Sequence, residues 1–257
     1  MKNKRRQFGF SLIEVLMAVG VLTVGLLMVA GTFPVGIHLV AVSTERTLGA
    51  VASDEAFAKI RLYGSQMNLS SVTLNPTDIQ KTFDFNDVFT NYAPVGTKIN
   101  PVEFEYPSTT DPQIDKRYSW SALFRFSNVN DAKQCQITVF ASRKVSNALQ
   151  YYGQTATTYA PSGTSDWPLP VLITQSGNLN DNFINVGTDI EYFTDDSVIV
   201  DDATGKIYRV IELDHSNSYI NLDRKLEDTV TNIWVVPPPV SGGKNPCVGV
   251  YQRIINF

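Results

Sequence analysis

The chain is poor in the side chains that do most enzyme chemistry. Its 257 residues hold two cysteines and two histidines, and Cys135 and Cys247 lack the spacing of a metal motif. No Gly-x-Ser-x-Gly elbow, phosphate loop or metal-spaced histidine pair occurs. His215 lies in Asp214-His215-Ser216-Asn217, a composition that reads as a solvated hairpin turn. His38 sits in an uncharged stretch and reads as a neutral imidazole. Asp195-Asp196 and Asp201-Asp202 lack the spacing of a calcium loop and read as turns. No metal, cofactor or catalytic residue is therefore expected. Internal repeats and low-complexity tracts are missing too, which excludes a solenoid. The largest absence is of charge: from Val15 to Ser43 there is no Asp, Glu, Lys or Arg.

That uncharged run exceeds the roughly 20 residues that carry a helix across ~30 Å of hydrocarbon. Directly before it come Lys2, Lys4, Arg5 and Arg6. Such asymmetry predicts a basic end that stays cytoplasmic and a remainder that is exported. Glu14 stands at the border of the apolar run, where an unpartnered carboxylate costs several kcal/mol or more. An ordinary secretory signal has its small-residue junction after the apolar region. Here the sharp junction, Gly9-Phe10, comes before it. A plain signal anchor explains the basic flank but not Glu14.

The segment Gly9-Phe10-Ser11-Leu12-Ile13-Glu14-Val15 resembles the class III leader of type IV pilins and type II secretion pseudopilins. The continuation Leu16-Met17-Ala18-Val19-Gly20, with Gly25-Leu26-Leu27, resembles most the minor pilin and minor pseudopilin branches. The resemblance covers about the first fifty residues. It implies cutting between Gly9 and Phe10 by a prepilin peptidase, methylation of the new Phe10 amine, and retention of the apolar helix in the membrane. After cutting, Glu14 lies in the first two turns of a helix, where the dipole and the free amine favour a negative charge. In an assembly, Glu14 is expected to pair with the Phe10 amine of a neighbouring subunit and so to set register; the alternative is a carboxylate that snorkels to the headgroups.

The expected fold class is α+β: a long helical stalk whose first half spans the membrane, then an antiparallel β-sheet head. Residues 1–9 are the leader and 10–63 the transmembrane and stalk helix. Gly31 to Gly36, with Pro34 inside, is expected to kink or melt readily, since proline removes a helix donor. Beyond it Leu48, Ala52, Ala56 and Ile60 recur at four-residue steps, a stripe that packs on the head. Residues 64–117 read as an irregular proline-rich connection, in which Lys81 to Phe85 and Val102 to Tyr106 are edge strands at most.

Residues 118–257 read as the head. Tyr118 to Phe126 and Gln134 to Arg143 form a hairpin, and Gly153 to Asp166 reads as a surface loop before a strand at Leu169 to Thr174. A second hairpin, Asp196 to Asp201 with Lys206 to Leu213, is followed by strands at Tyr219 to Leu222, Ile233 to Val236 and Val248 to Ile255. Together these suggest a compact antiparallel sheet or partial barrel. Trp120, Trp167 and Trp234 are expected as core or interface anchors. Cys135 and Cys247 lie on the exported side, where either a disulfide or two buried thiols is possible.

Hydrophobic residues make up 43% and charged residues 18%, ordinary values for a chain with one conventional head. Without the leader, the 21 basic residues fall to 17 against 25 acidic ones, which disfavours nucleic acid as a partner. Three functions remain. The favoured one is a structural subunit of a type IV pilus or type II secretion filament. It would sit in the bacterial inner membrane with its head exported, and its partners would be the peptidase and other pilin or pseudopilin subunits. The others are a signal-anchored exported binding domain that does not polymerise, and a membrane-anchored enzyme.

Overall fold

The computed structural model describes residues 9, 11–64, 83–84, 101–109, 111, 116–128, 131–145, 150–152, 164–165 and 167–257. The chain divides into two units, Met1–Glu45 and Arg46–Phe257, and a single helix, α1 (Leu12–Gly64), runs through the division.

In the first unit α1 is exposed from Leu12 to Ala41, apolar side chains included. Its threonine hydroxyls donate back into the helix: Thr23 Oγ1 to the Val19 carbonyl at 2.7 Å, Thr32 Oγ1 to Met28 at 3.1 Å and Thr44 Oγ1 to Val40 at 2.8 Å. A segment that meets no water must satisfy its hydroxyls in this way. In the single subunit α1 stays helical through Pro34, and loosening between Gly31 and Gly36 on packing into a filament is a separate question. Proline costs one hydrogen bond, whereas opening the helix would strand several backbone groups without water.

The second unit is built on the last turns of α1. Ala52, Ser53, Ala56, Phe57 and Ile60 are buried along one face, the stripe the spacing predicts. They meet a sheet ordered β1-β3-β4-β13, with β2 also on β3. Its strands are β1 (Phe83–Asp84), β2 (Glu105–Tyr106), β3 (Tyr118–Asn128), β4 (Asp131–Arg143) and β13 (Cys247–Asn256). The hairpin β3–β4 is the one expected, two residues longer on β3 and three on β4. β1 and β2 are the two short strands of the proline-rich connection, and both are held at the edge of β3. So part of that connection belongs to the head sheet; the rest of 65–100 lies outside the described residues. Alternation along β3 and β4 divides the sheet. Trp120, Ala122, Phe124, Cys135, Ile137 and Val139 form one core with α1, while Leu123 and Phe140 enter another on the far side.

Between β4 and β13 the chain leaves the sheet and returns beside its point of departure, where the Arg143 amide donates to the Pro246 carbonyl at 2.9 Å. The inserted stretch holds a small pair, β5 (Tyr151–Tyr152), just before the loop the sequence suggests, with β6 (Thr164–Ser165), near that loop's end. It also holds β7 (Val171–Gly177), β8 (Phe183–Asn185), β9 (Val198–Asp201), β10 (Ile207–Asp214), β11 (Tyr219–Leu222) and β12 (Val230–Val235). These six close into a barrel ordered β10-β11-β8-β7-β12-β9. The head is thus an open sheet plus a closed barrel, where the sequence suggests one sheet or a partial barrel. Ile184, Ile199, Val210, Ile220, Val230 and Ile233 fill the barrel. Leu172, Val200, Trp234 and Val236 seal it against Leu123 and Phe140 of the sheet. Residues 171–235 carry twelve of the 25 acidic residues and four of the 21 basic ones, so the barrel wall disfavours polyanions.

The proposed disulfide is corrected by the register. Cys135 lies opposite Ile255 and Cys247 opposite Ser142, seven positions apart on β4. At ~3.4 Å per residue that is roughly 24 Å, against the ~7 Å limit for a bridge. Both thiols are free.

Candidate functional site

Gly9 is exposed and a β-carbon there would touch nothing within 4 Å; Phe10 lies outside the described residues. Ser11 starts α1: its hydroxyl accepts the Glu14 amide at 3.3 Å, and its carbonyl accepts the amides of Glu14 at 3.0 Å and Val15 at 3.2 Å. Ser11-x-x-Glu14 is therefore the serine half of a capping box with an acid at its third helical position. This spacing is present in the sequence, and reading Glu14 only as a charge at a membrane border overlooks it. The helix dipole favours a carboxylate there whether or not a neighbour is present. Leu12, Val15, Leu16, Val19 and Gly20 line an apolar concavity along this turn. Beyond it the helix is long and apolar enough to cross a membrane, and its most apolar window is unburied.

The other residues considered for chemistry are occupied structurally. His215 is exposed in the turn between β10 and β11. Its neighbour Asp214 accepts from Asn217 Nδ2 at 2.7 Å, the Ser216 amide at 3.0 Å and the Asn217 amide at 3.1 Å. The Asn217 side chain foremost, then its backbone, holds the Asp214 carboxyl below the usual carboxylate range. Asp201 accepts from the amides of Ala203 and Thr204 and from the Thr204 hydroxyl, closing the β9–β10 turn. Asp202 takes the Trp234 indole N–H at 2.8 Å. Among the described residues no three His, Cys, Asp or Glu side chains converge on a metal-sized space. Burial, then Asp189, pushes the Tyr192 phenol up to about 12, so it stays neutral inside the barrel. Trp120 and Trp234 are core residues; Trp167 lies beneath the Lys144 ammonium, 3.8 Å from its ring centre.

A small residue at the junction, a capped helix with an acid in its first turn, and an unburied apolar run define the processed, membrane-retained amino terminus of type IV pilin-like proteins. Residues 4–30 match the prokaryotic N-terminal methylation motif. The amino-terminal segment is accordingly that of a type IV pilin- or pseudopilin-type exported protein, a substrate for leader processing and held by a membrane helix. Comparison with curated proteins and with solved structures gives no match.

Proposed function

We propose that this chain is a structural subunit, a minor pilin or minor pseudopilin, of a type IV pilus or type II secretion filament. Its work is packing rather than catalysis. Prepilin peptidase removes residues 1–9, the basic leader remains on the cytoplasmic side, and the head faces outward from the bacterial inner membrane. The reading is carried by Glu14, an exposed acid directly after a class III leader and directly before an unburied apolar run. On docking, the Phe10 amine of the adjacent pilin or pseudopilin subunit neutralises the carboxylate, so two charges costly in lipid satisfy one another and fix register.

Mass spectrometry of the mature amino terminus, with and without the host's leader peptidase, tests the processing: a methylated Phe10 is expected only with the enzyme. Glu14→Ala tests the pairing. The variant should be processed and membrane-bound yet depleted at least tenfold from sheared filaments, and normal incorporation would overturn the pairing. An intact Met1 in cells that have the peptidase would favour the signal-anchored binding domain instead.

A further inference from the structure

β13 ends the sheet order and pairs with β4 along its length. Both of its faces carry packed side chains as far as Gln252. On one side Val248 lies against α1, where a β-carbon at Gly49 would come within 3.0 Å of Val248 Cγ1, and Arg253 bonds Asp54 at 2.6 Å and lies over the Phe57 ring. On the other, Val250 packs on the sheet–barrel core and Gln252 donates to the Gly205 carbonyl. Yet every residue from Cys247 to Gln252 is half-exposed, whereas Ile137 to Ser142 on the adjacent strand are all buried. Gly249 has no side chain and is half-exposed as well. Among the described residues no strand pairs with the outer backbone edge of β13, along which alternate N–H and C=O groups point away from β4.

Edges of this length are normally blunted by Lys, Pro, inward charges or a covering element. Cys247–Asn256 has no Lys and no Pro. Its one charge, Arg253, is held against α1 by Asp54 and Phe57. The bulge at Val248 affects one end alone, leaving Gly249 to Asn256 in regular register, with Ile254 63% exposed near its far end.

We propose that β13 is a strand-addition site, whose free edge takes an extended segment of a different protein, apolar at alternate positions, as a further antiparallel strand. A backbone edge recognises backbone, so its occupant is a strand; Ile254 and Val250 favour apolar side chains on the face they share with it. A second copy fits poorly. Antiparallel pairing of β13 with itself would reverse the second copy's α1, whereas chains anchored by the same end in one membrane keep their helices parallel. At the opposite edge, β1 and β2 are two residues each, too short to fill ten. The inference rests on the sheet and on the membrane helix, and stands apart from the filament reading.

The probe is a synthetic peptide of alternating valine and threonine with lysine ends, added to the full-length protein in detergent. Hydrogen exchange should show unprotected outward amides in β13 without peptide and protected ones with it. A peptide N-methylated at every second residue should not protect them. Ile254→Lys should weaken binding at least tenfold while the inward β13 amides keep their protection, which shows that the sheet is intact. Outward amides already protected without peptide, equal binding by Ile254→Lys, or concentration-dependent self-association abolished by Ile254→Lys would each overturn the proposal, the last by making a second copy the occupant.

Discussion

One helix lives in two environments. From Leu12 to Ala41, α1 is exposed on all sides although nearly every side chain is apolar, whereas from Ala52 to Ile60 one face is buried against the protein's own sheet. Helical periodicity and hydrogen bonding are the same in both stretches. What differs is whether the chain supplies its own apolar partner. The second stretch is stabilised by folding alone; the first has its apolar surface satisfied only by lipid or by other helices. Mutations of equal chemistry should therefore have unequal effects on the stability of the isolated protein.

Phe57→Ala removes a ring that is 2% exposed and packed on the sheet, and should cost about 3–5 kcal/mol. In thermal unfolding of the full chain in detergent that is a drop of roughly 10 °C in midpoint. Leu27→Ala, at a residue 68% exposed, should change the same midpoint by no more than about 0.5 kcal/mol's worth. A comparable loss from Leu27→Ala would mean that the first stretch does contribute to the stability of the isolated protein.

Glycine sharpens the contrast. At Gly25 a β-carbon meets nothing within 4 Å, while at Gly49 it would come within 3.0 Å of Val248 Cγ1. Alanine improves helix propensity by about 1 kcal/mol at either position, but only Gly49→Ala also crowds a packed strand, at about 1–3 kcal/mol. Urea unfolding should show Gly49→Ala less stable by about 1 kcal/mol and Gly25→Ala more stable by up to about 1 kcal/mol. A stabilised Gly49→Ala would show that β13 yields to the helix.

The same division governs what could be read from the sequence. The leader, the span and the stripe from Ala52 to Ile60 follow from local pattern, and so do strands closed by short turns, such as β10 and β11 around Asp214 to Asn217. Long-range pairing does not announce itself. Nothing local says that Ile233 pairs with Asp201 to help close a barrel, or that Ser142 lies opposite Cys247 across an inserted module. The disulfide expectation failed for that reason: compartment and residue type favour a bridge, but the antiparallel register sends the two thiols to opposite ends of one ladder. Glu14 falls in the first turn of α1, and its relation to Ser11 needs the helix start to be placed.

The smallest expected effect concerns Cys247 and separates side chain from edge. The residue is half-buried, and its Sγ lies 3.7 Å from the Gly249 carbonyl. Burial pushes the thiol up to about 12, so the folded protein keeps it protonated where an unfolded chain would ionise it. A raised pKa leaves stability untouched below the unfolded value near 9 and erodes it as pH climbs from there towards 12. Comparing wild type with Cys247→Ala isolates this contribution from the buried tyrosines: the two should respond to pH alike between pH 6 and 8, and wild type should have lost about 1 kcal/mol relative to the variant by pH 10. Parallel curves through pH 10 would mean that water reaches the sulfur through the open edge, and that the exposure of β13 extends below its backbone.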